Sequence, residues 1–146
     1  MAMTTASPAS PPSQDPGQTA LMVYFDGSCP LCSAEIGHYS RQRGAECLRF
    51  VDASVPGADA GPGLGIEQAM ARFHVRMPDG RLLSGAPAFV AIWNRLPGWR
   101  WPARLARLPG VTRALDAAYR AFLPVRPLMS KIASRLGAKP VRNGQN

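Results

Sequence analysis

Cys29 and Cys32 stand three positions apart in the stretch Asp26-Gly27-Ser28-Cys29-Pro30-Leu31-Cys32. Two thiols at that spacing on the first turn of a helix can close a disulfide and open it again. An apolar run, Leu21 to Phe25, precedes them, and a helical pattern from Leu31 to Arg43 follows. The spacing therefore predicts a strand that turns sharply into a helix, with Cys29 at the helix N-terminus. Unpaired backbone N–H groups and the helix dipole favour negative charge there. A thiolate is such a charge, so Cys29 is expected to be the attacking thiolate and Cys32, one turn deeper, the resolving thiol. Pro30 suits the first turn, where its missing N–H costs nothing.

Other chemistry fits the pair less well. A structural zinc site needs four protein ligands, and Cys47, His38 and His74 are scattered without a second closely spaced pair. Covalent haem attachment needs a histidine directly after the second cysteine, where Ser33 stands. Asp26 has two readings: an acceptor that ties down the turn, which is favoured, or a proton shuttle for Cys32. Its charge would oppose the fall in the Cys29 pKa. Gly27 is expected to supply backbone freedom at the turn, and Ser28 to cap the helix. Cys47, without a partner, is expected to be a buried thiol. Trp93, Trp99 and Trp101 are expected to pack in the core and at its rim.

The elements that must hold the pair follow in order. Leu21 to Phe25, apolar throughout, predicts a strand covered on both faces. Helix 1 places Cys32, Ile36 and Tyr39 on one buried face and leaves its start accessible. Leu48 to Asp52 predicts a second strand, parallel to the first. Pro56 to Gly65 is a loop without the Lys-Ser/Thr ending of a phosphate-binding loop. Ile66, Ala69, Met70 and Phe73 predict helix 2. His74 to Met77, the turn Pro78-Asp79-Gly80, and Arg81 to Ser84 predict a hairpin. Pro87 opens helix 3, and Pro97-Gly98 stops it. The order is β-α-β-α-β-β-α, an α/β, thioredoxin-like core with the CxxC directly after its first strand. A C-terminal helical extension follows, with Leu115, Ala118, Tyr119 and Phe122 on one helix face and Leu128, Ile132 and Leu136 on the next.

Asp26, Cys29 and Cys32, set in Tyr-Phe-Asp-Gly-Ser-Cys-Pro-Leu-Cys, resemble the signature of the DCC family, thiol-disulfide oxidoreductases with a thioredoxin-like fold. The resemblance runs from about Leu21 to about Arg126. It includes His74-Val75, Asp79-Gly80, Gly85 with Ala88, Trp93, Pro97-Gly98, and Tyr119 with Arg126. It implies thiol-disulfide exchange on a disulfide or thiol substrate, protein or low-molecular-weight. Glutathione or a thioredoxin-type donor is the implied electron source, and no metal or organic cofactor is needed. Thioredoxins place a cis-proline before the third strand, facing the redox pair. No proline stands close before His74, which is read as a structural histidine or as a group that tunes the thiols from that position.

The chain has 146 residues, 46% of them hydrophobic, which bounds it to one domain with tails. Residues 1–18 are expected to form a disordered tail, 19–98 the redox core, 99–137 a basic helical extension packed on it, and 138–146 a frayed tail. Residues 1–20 have neither a basic start nor an apolar centre, so a secretory leader is not expected. One close cysteine pair fits a reducing compartment, and a cytoplasmic location is expected. The net charge of +8 is uneven. Residues 1–90 hold six arginines against eight carboxylates, and residues 91–146 hold eleven Lys or Arg against Asp116 alone. The basic stretch 95–135 reads as a solvated face, or as a surface for an acidic protein or an anionic membrane. Nucleic acid is disfavoured, since no recognised binding motif is present. The rival to an enzyme is a non-enzymatic binding module that uses those basic helices as its interface.

Overall fold

The computed structural model describes residues 19–139. The expected tail 1–18, and residues 140–146 of the expected C-terminal tail, lie outside them. Four strands form one sheet: β1 (Leu21–Phe25), β2 (Leu48–Asp52), β3 (His74–Arg76) and β4 (Leu82–Ser84). Their order across the sheet is β2-β1-β3-β4. β1 runs parallel to β2 and antiparallel to β3, and β3 and β4 form the hairpin. Helices α1 (Pro30–Ser40), α2 (Ile66–Ala71) and α3 (Ala86–Arg95) fall between and after the strands. This is the β-α-β-α-β-β-α order of a thioredoxin-like fold. Three further helices follow: α4 (Arg100–Leu105), α5 (Val111–Phe122) and α6 (Arg126–Arg135).

β1 is central because both of its faces are apolar. Leu21, Val23 and Phe25 pack with Ile36, Tyr39 and Ile92 from α1 and α3. Tyr24 and Met22, pointing the other way, pack with Ala60, Leu64 and Ala69 from the 56–65 loop and α2. Leu21, Ile92 and Leu96 are fully buried; each contributes on the order of 2 kcal/mol by leaving water. The hairpin turn is held by Asp79, whose Oδ1 accepts the Arg81 N–H at 3.0 Å, and by Gly80 at φ +88°. The sheet thus fixes the C-terminal end of β1, where the chain enters the CxxC turn.

Two helix faces differ from the pattern the sequence suggested. On α1 the buried residues are Ser33, Ile36 and Tyr39, while Cys32 is half-buried. Ser33 turns inward because its hydroxyl donates to the Gly27 carbonyl at 3.0 Å. On α6 the apolar residues Leu128 and Ile132 face outward, 60% and 41% exposed, and Leu136 at its C-cap is 84% exposed. The inward face carries Arg126 and Ser130 instead, whose polar contacts reach Asp26 and Cys29 in the turn that leads into α1. Cys47 is half-buried rather than buried. Trp93 and Trp99 stack, with ring centres 6.0 Å apart, whereas Trp101 is exposed.

Candidate functional site: the Cys29–Cys32 pair

The turn between β1 and α1 is pinned from three directions. Asp26 Oδ1 accepts the Ser28 N–H at 3.0 Å and the Ser28 hydroxyl at 2.5 Å, so Asp26 does close the turn. Its other oxygen, Oδ2, is held by Arg126 at 3.0 Å. The Gly27 N–H donates to Asp52 Oδ1 at 2.9 Å. Gly27 is required for space rather than for backbone freedom: it has no positive φ, but a Cβ there would overlap the Asp52 carboxylate. The helix cap also differs from expectation. Cys29 itself is the N-cap, its sulfur accepting the Cys32 N–H at 3.4 Å. Ser28 is committed to Asp26 and leaves that place free. Pro30 occupies the first turn.

Four donors converge on the Cys29 sulfur. The Cys32 thiol is the strongest influence, and it draws the Cys29 pKa down from the usual thiol range to about 4. Burial works against this, and the Ser130 hydroxyl, the Cys32 N–H and the Arg126 guanidinium add to it. Ser130 Oγ lies 2.9 Å from Cys29 Sγ. The partner sulfur moves the other way. Hydrogen bonding to Cys29 keeps the proton on Cys32, and burial raises its pKa further. At neutral pH the pair is therefore one thiolate and one thiol sharing a proton.

The start of α1 is not open to solvent as the sequence suggested. Cys29 is 7% exposed, because α6 lies over the helix N-terminus and sets Ser130 against the sulfur. Arg126, one turn earlier on α6, donates to the Met70 carbonyl at 3.2 Å, to Ala71 at 3.2 Å and to Asp26. Burial opposes its charge, but the two sulfurs and Asp26 outweigh that and raise its pKa. Arg126 is thus a site residue and not part of a solvated basic face.

A cavity of about 510 Å³ opens beside the pair, with Cys32, Glu35, Arg72 and Arg126 among its lining residues. Glu35 shares a face of α1 with Cys32 at i, i+3. Its carboxyl is pushed above the usual range by burial, against the hydrogen bond from the Tyr39 hydroxyl at 3.0 Å and helped by the Cys29 charge. Trp93 Nε1 donates to the same Tyr39 oxygen at 3.2 Å.

His74 opens β3. It pairs with Tyr24 and lies on that face of the sheet. Its Nδ1–H donates to the Arg72 carbonyl at 2.7 Å, and burial lowers its pKa. The approach to β3 contains no cis peptide among the described residues. Phe73 stands there, its N–H donated to the Tyr119 hydroxyl at 2.9 Å. Among the described residues, no group of three or more His, Cys, Asp or Glu side chains could hold a metal ion.

Sequence reasoning missed Ser130 and Glu35 entirely and read Arg126 only as a mark of resemblance and a basic residue. The signal for Glu35 was present: a carboxylate three residues after Cys32 on a helix. Nothing local marked Ser130.

A fold of this order with a capped CxxC at the start of α1 defines a thioredoxin-like protein with a dithiol site. The profile of the DCC1-like thiol-disulfide oxidoreductases matches residues 23–131, and the chain belongs to that family. It is 25% identical over 116 residues to an uncharacterized chloroplastic protein of Arabidopsis thaliana, covering 76% of this chain and 53% of that protein. The chain thus spans about half the length of this curated relative. No solved structure matches the chain significantly. No helix among the described residues is long and apolar enough to cross a membrane.

Proposed function

We propose that the protein is a thiol-disulfide oxidoreductase in which Cys29 attacks and Cys32 resolves. The observation that carries this reading is the convergence of donors on one sulfur, which holds Cys29 as a thiolate while Cys32 keeps its proton. The Cys29 thiolate attacks one sulfur of a substrate disulfide, whose other sulfur leaves as a thiolate and takes up a proton. Cys32 then loses its proton and attacks Cys29, expelling the second substrate thiol. The products are a Cys29–Cys32 disulfide and a reduced substrate, with two electrons transferred. Glu35 serves both proton steps: as a neutral acid it protonates the leaving thiolate, and as a carboxylate it takes the Cys32 proton. Asp26, Gly27, Ser28 and Pro30 hold the turn, and Arg126 and Ser130 stabilise the thiolate.

A thiol reductant returns the pair to the dithiol, glutathione and a thioredoxin-type donor being the two that the family resemblance implies. A reducing compartment such as the cytoplasm suits one closely spaced cysteine pair beside a lone Cys47. The test is trapping with a disulfide reagent. Cys32→Ser accumulates a mixed disulfide at Cys29, because nothing resolves it, and Cys29→Ser accumulates none. The reverse pattern would contradict the assignment of roles.

A second reading concerns the outer surface. Trp101, Leu128 and Leu136 are exposed on helices that also carry Arg104, Lys131 and Arg135. That combination suits an anionic membrane or an acidic protein. Salt-sensitive sedimentation with anionic vesicles would support the membrane reading; no sedimentation would leave an acidic protein or a solvated face.

A further inference from the structure

We infer that the cavity beside Cys32 binds a low-molecular-weight thiol or disulfide with an apolar body and one anionic end. The inference rests on the oxidoreductase reading and narrows its substrate. At about 510 Å³ the cavity lies within the roughly 300–1,000 Å³ of small-molecule sites. Its walls include Leu31, Met70, Phe73, Phe89, Phe122 and Met129. Phe73 and Phe89, which both line it, stack on each other at 4.5 Å between ring centres.

The pair is reached from this side. Ser130 and α6 cover Cys29, leaving it 7% exposed. The cavity meets the pair at Cys32 and at Arg126. A disulfide on the surface of a folded protein would have to displace α6, whereas a small molecule in the cavity would not.

The polar anchor is Arg72. Its guanidinium lies over the Tyr119 ring at 5.7 Å. Its Nε is buried without a hydrogen-bond partner among the described residues. Arg72 lines the cavity, and a guanidinium on an apolar wall matches a carboxylate. The ligand therefore places its sulfur at the Cys32 end of the cavity and its carboxylate at Arg72.

The experiment reduces the oxidised protein with dihydrolipoate, dihydrolipoamide and dithiothreitol, each followed by quenched alkylation. A thiolate of the reagent attacks Cys32, the sulfur the cavity reaches, and Cys29 leaves as the thiolate that Ser130 contacts. The reagent's second thiol then closes its own disulfide and releases Cys32, which takes up a proton, passing two electrons to the protein. Dihydrolipoate and its amide carry the same dithiol and differ in the charge of the far end. Dihydrolipoate is expected to react about tenfold faster, the factor that one charge-assisted hydrogen bond supplies, and to saturate. Dihydrolipoamide is expected to outpace dithiothreitol, which lacks the apolar chain. In Arg72→Gln the ratio of acid to amide falls toward one. Equal rates for acid and amide in the wild-type protein would overturn the anionic end. Dithiothreitol matching both would overturn the apolar site, with the redox reading intact. If no disulfide forms between Cys29 and Cys32, the oxidoreductase reading fails and this inference with it.

Discussion

Ser130 Oγ lies 2.9 Å from Cys29 Sγ, bridging 101 positions of sequence to put a hydroxyl from α6 on the thiolate. The C-terminal helices therefore help build the dithiol site. Ser130→Ala removes one donor while leaving the Cys32 thiol and N–H in place. The Cys29 pKa is expected to rise by about one unit, the equivalent of one hydrogen bond to a charged group. Thiolate absorbance followed against pH in the reduced protein measures this; an unmoved midpoint would show that the hydroxyl contributes nothing.

The pH dependence of stability follows from the same sulfur. The folded Cys29 pKa, about 4, lies below that of an unfolded thiol. A depressed acid stabilises the folded state above its unfolded pKa, and the gain is lost as pH falls through the folded value. Reduced wild-type protein should thus lose stability relative to Cys29→Ser as pH is lowered from 9 toward 4. Urea midpoints for the two proteins at several pH values test the sign. A constant difference would remove the thiolate from the account.

Arg126 and Asp26 form an ion pair whose side chains are 17% and 13% exposed. Arg126 also donates to the Met70 and Ala71 carbonyls. Arg126→Ala leaves a half-buried carboxylate and two carbonyls without their partner. The expected loss is about 3 kcal/mol, read from denaturant unfolding. Arg126→Lys should recover only part, since an ammonium cannot span the fork of acceptors. Full recovery by lysine would mean that charge alone matters here.

Gly27 and Asp52 are coupled by space. Gly27→Ala drives a methyl into the Asp52 carboxylate and should destabilise the protein by about 2 kcal/mol, as overpacking does. Asp52→Ala on its own loses the acceptor for the Gly27 N–H. The double variant should be more stable than the two single losses predict when added. Simple additivity would place the cost of Gly27→Ala elsewhere.

Glu35→Gln keeps the size of the side chain and an acceptor oxygen beside Tyr39 but cannot carry a proton. Decay of a mixed disulfide at Cys29 should slow about a hundredfold, as for loss of a general acid–base group. An unchanged decay rate would assign the proton steps to solvent.

The strands, the hairpin and the CxxC turn were legible in the sequence because their signals are local. Leu21 to Phe25 is apolar on both faces, Pro78-Asp79-Gly80 is a turn by its own chemistry, and Cys29 and Cys32 are close in the chain. The roof of the site was not legible. Arg126 and Asp26 meet across 100 residues, and no periodicity announces that contact. On α6 the apolar pattern pointed the wrong way: Leu128 and Leu136 face outward, and the helix docks through Arg126 and Ser130. Gly27 was marked correctly as a special position for the wrong reason, since its neighbour Asp52 is 25 residues away.

The central claim is that Cys29 and Cys32 interconvert between dithiol and disulfide. Equilibration of the purified protein in thiol–disulfide buffers, with alkylation of free thiols and assignment by mass spectrometry, tests it most directly. The account predicts a reversible Cys29–Cys32 bond with Cys47 remaining free. Its potential should fall between roughly −270 and −120 mV, the range of redox-active thioredoxin-type pairs. A pair that never bridges, or oxidation confined to Cys47, would contradict the account.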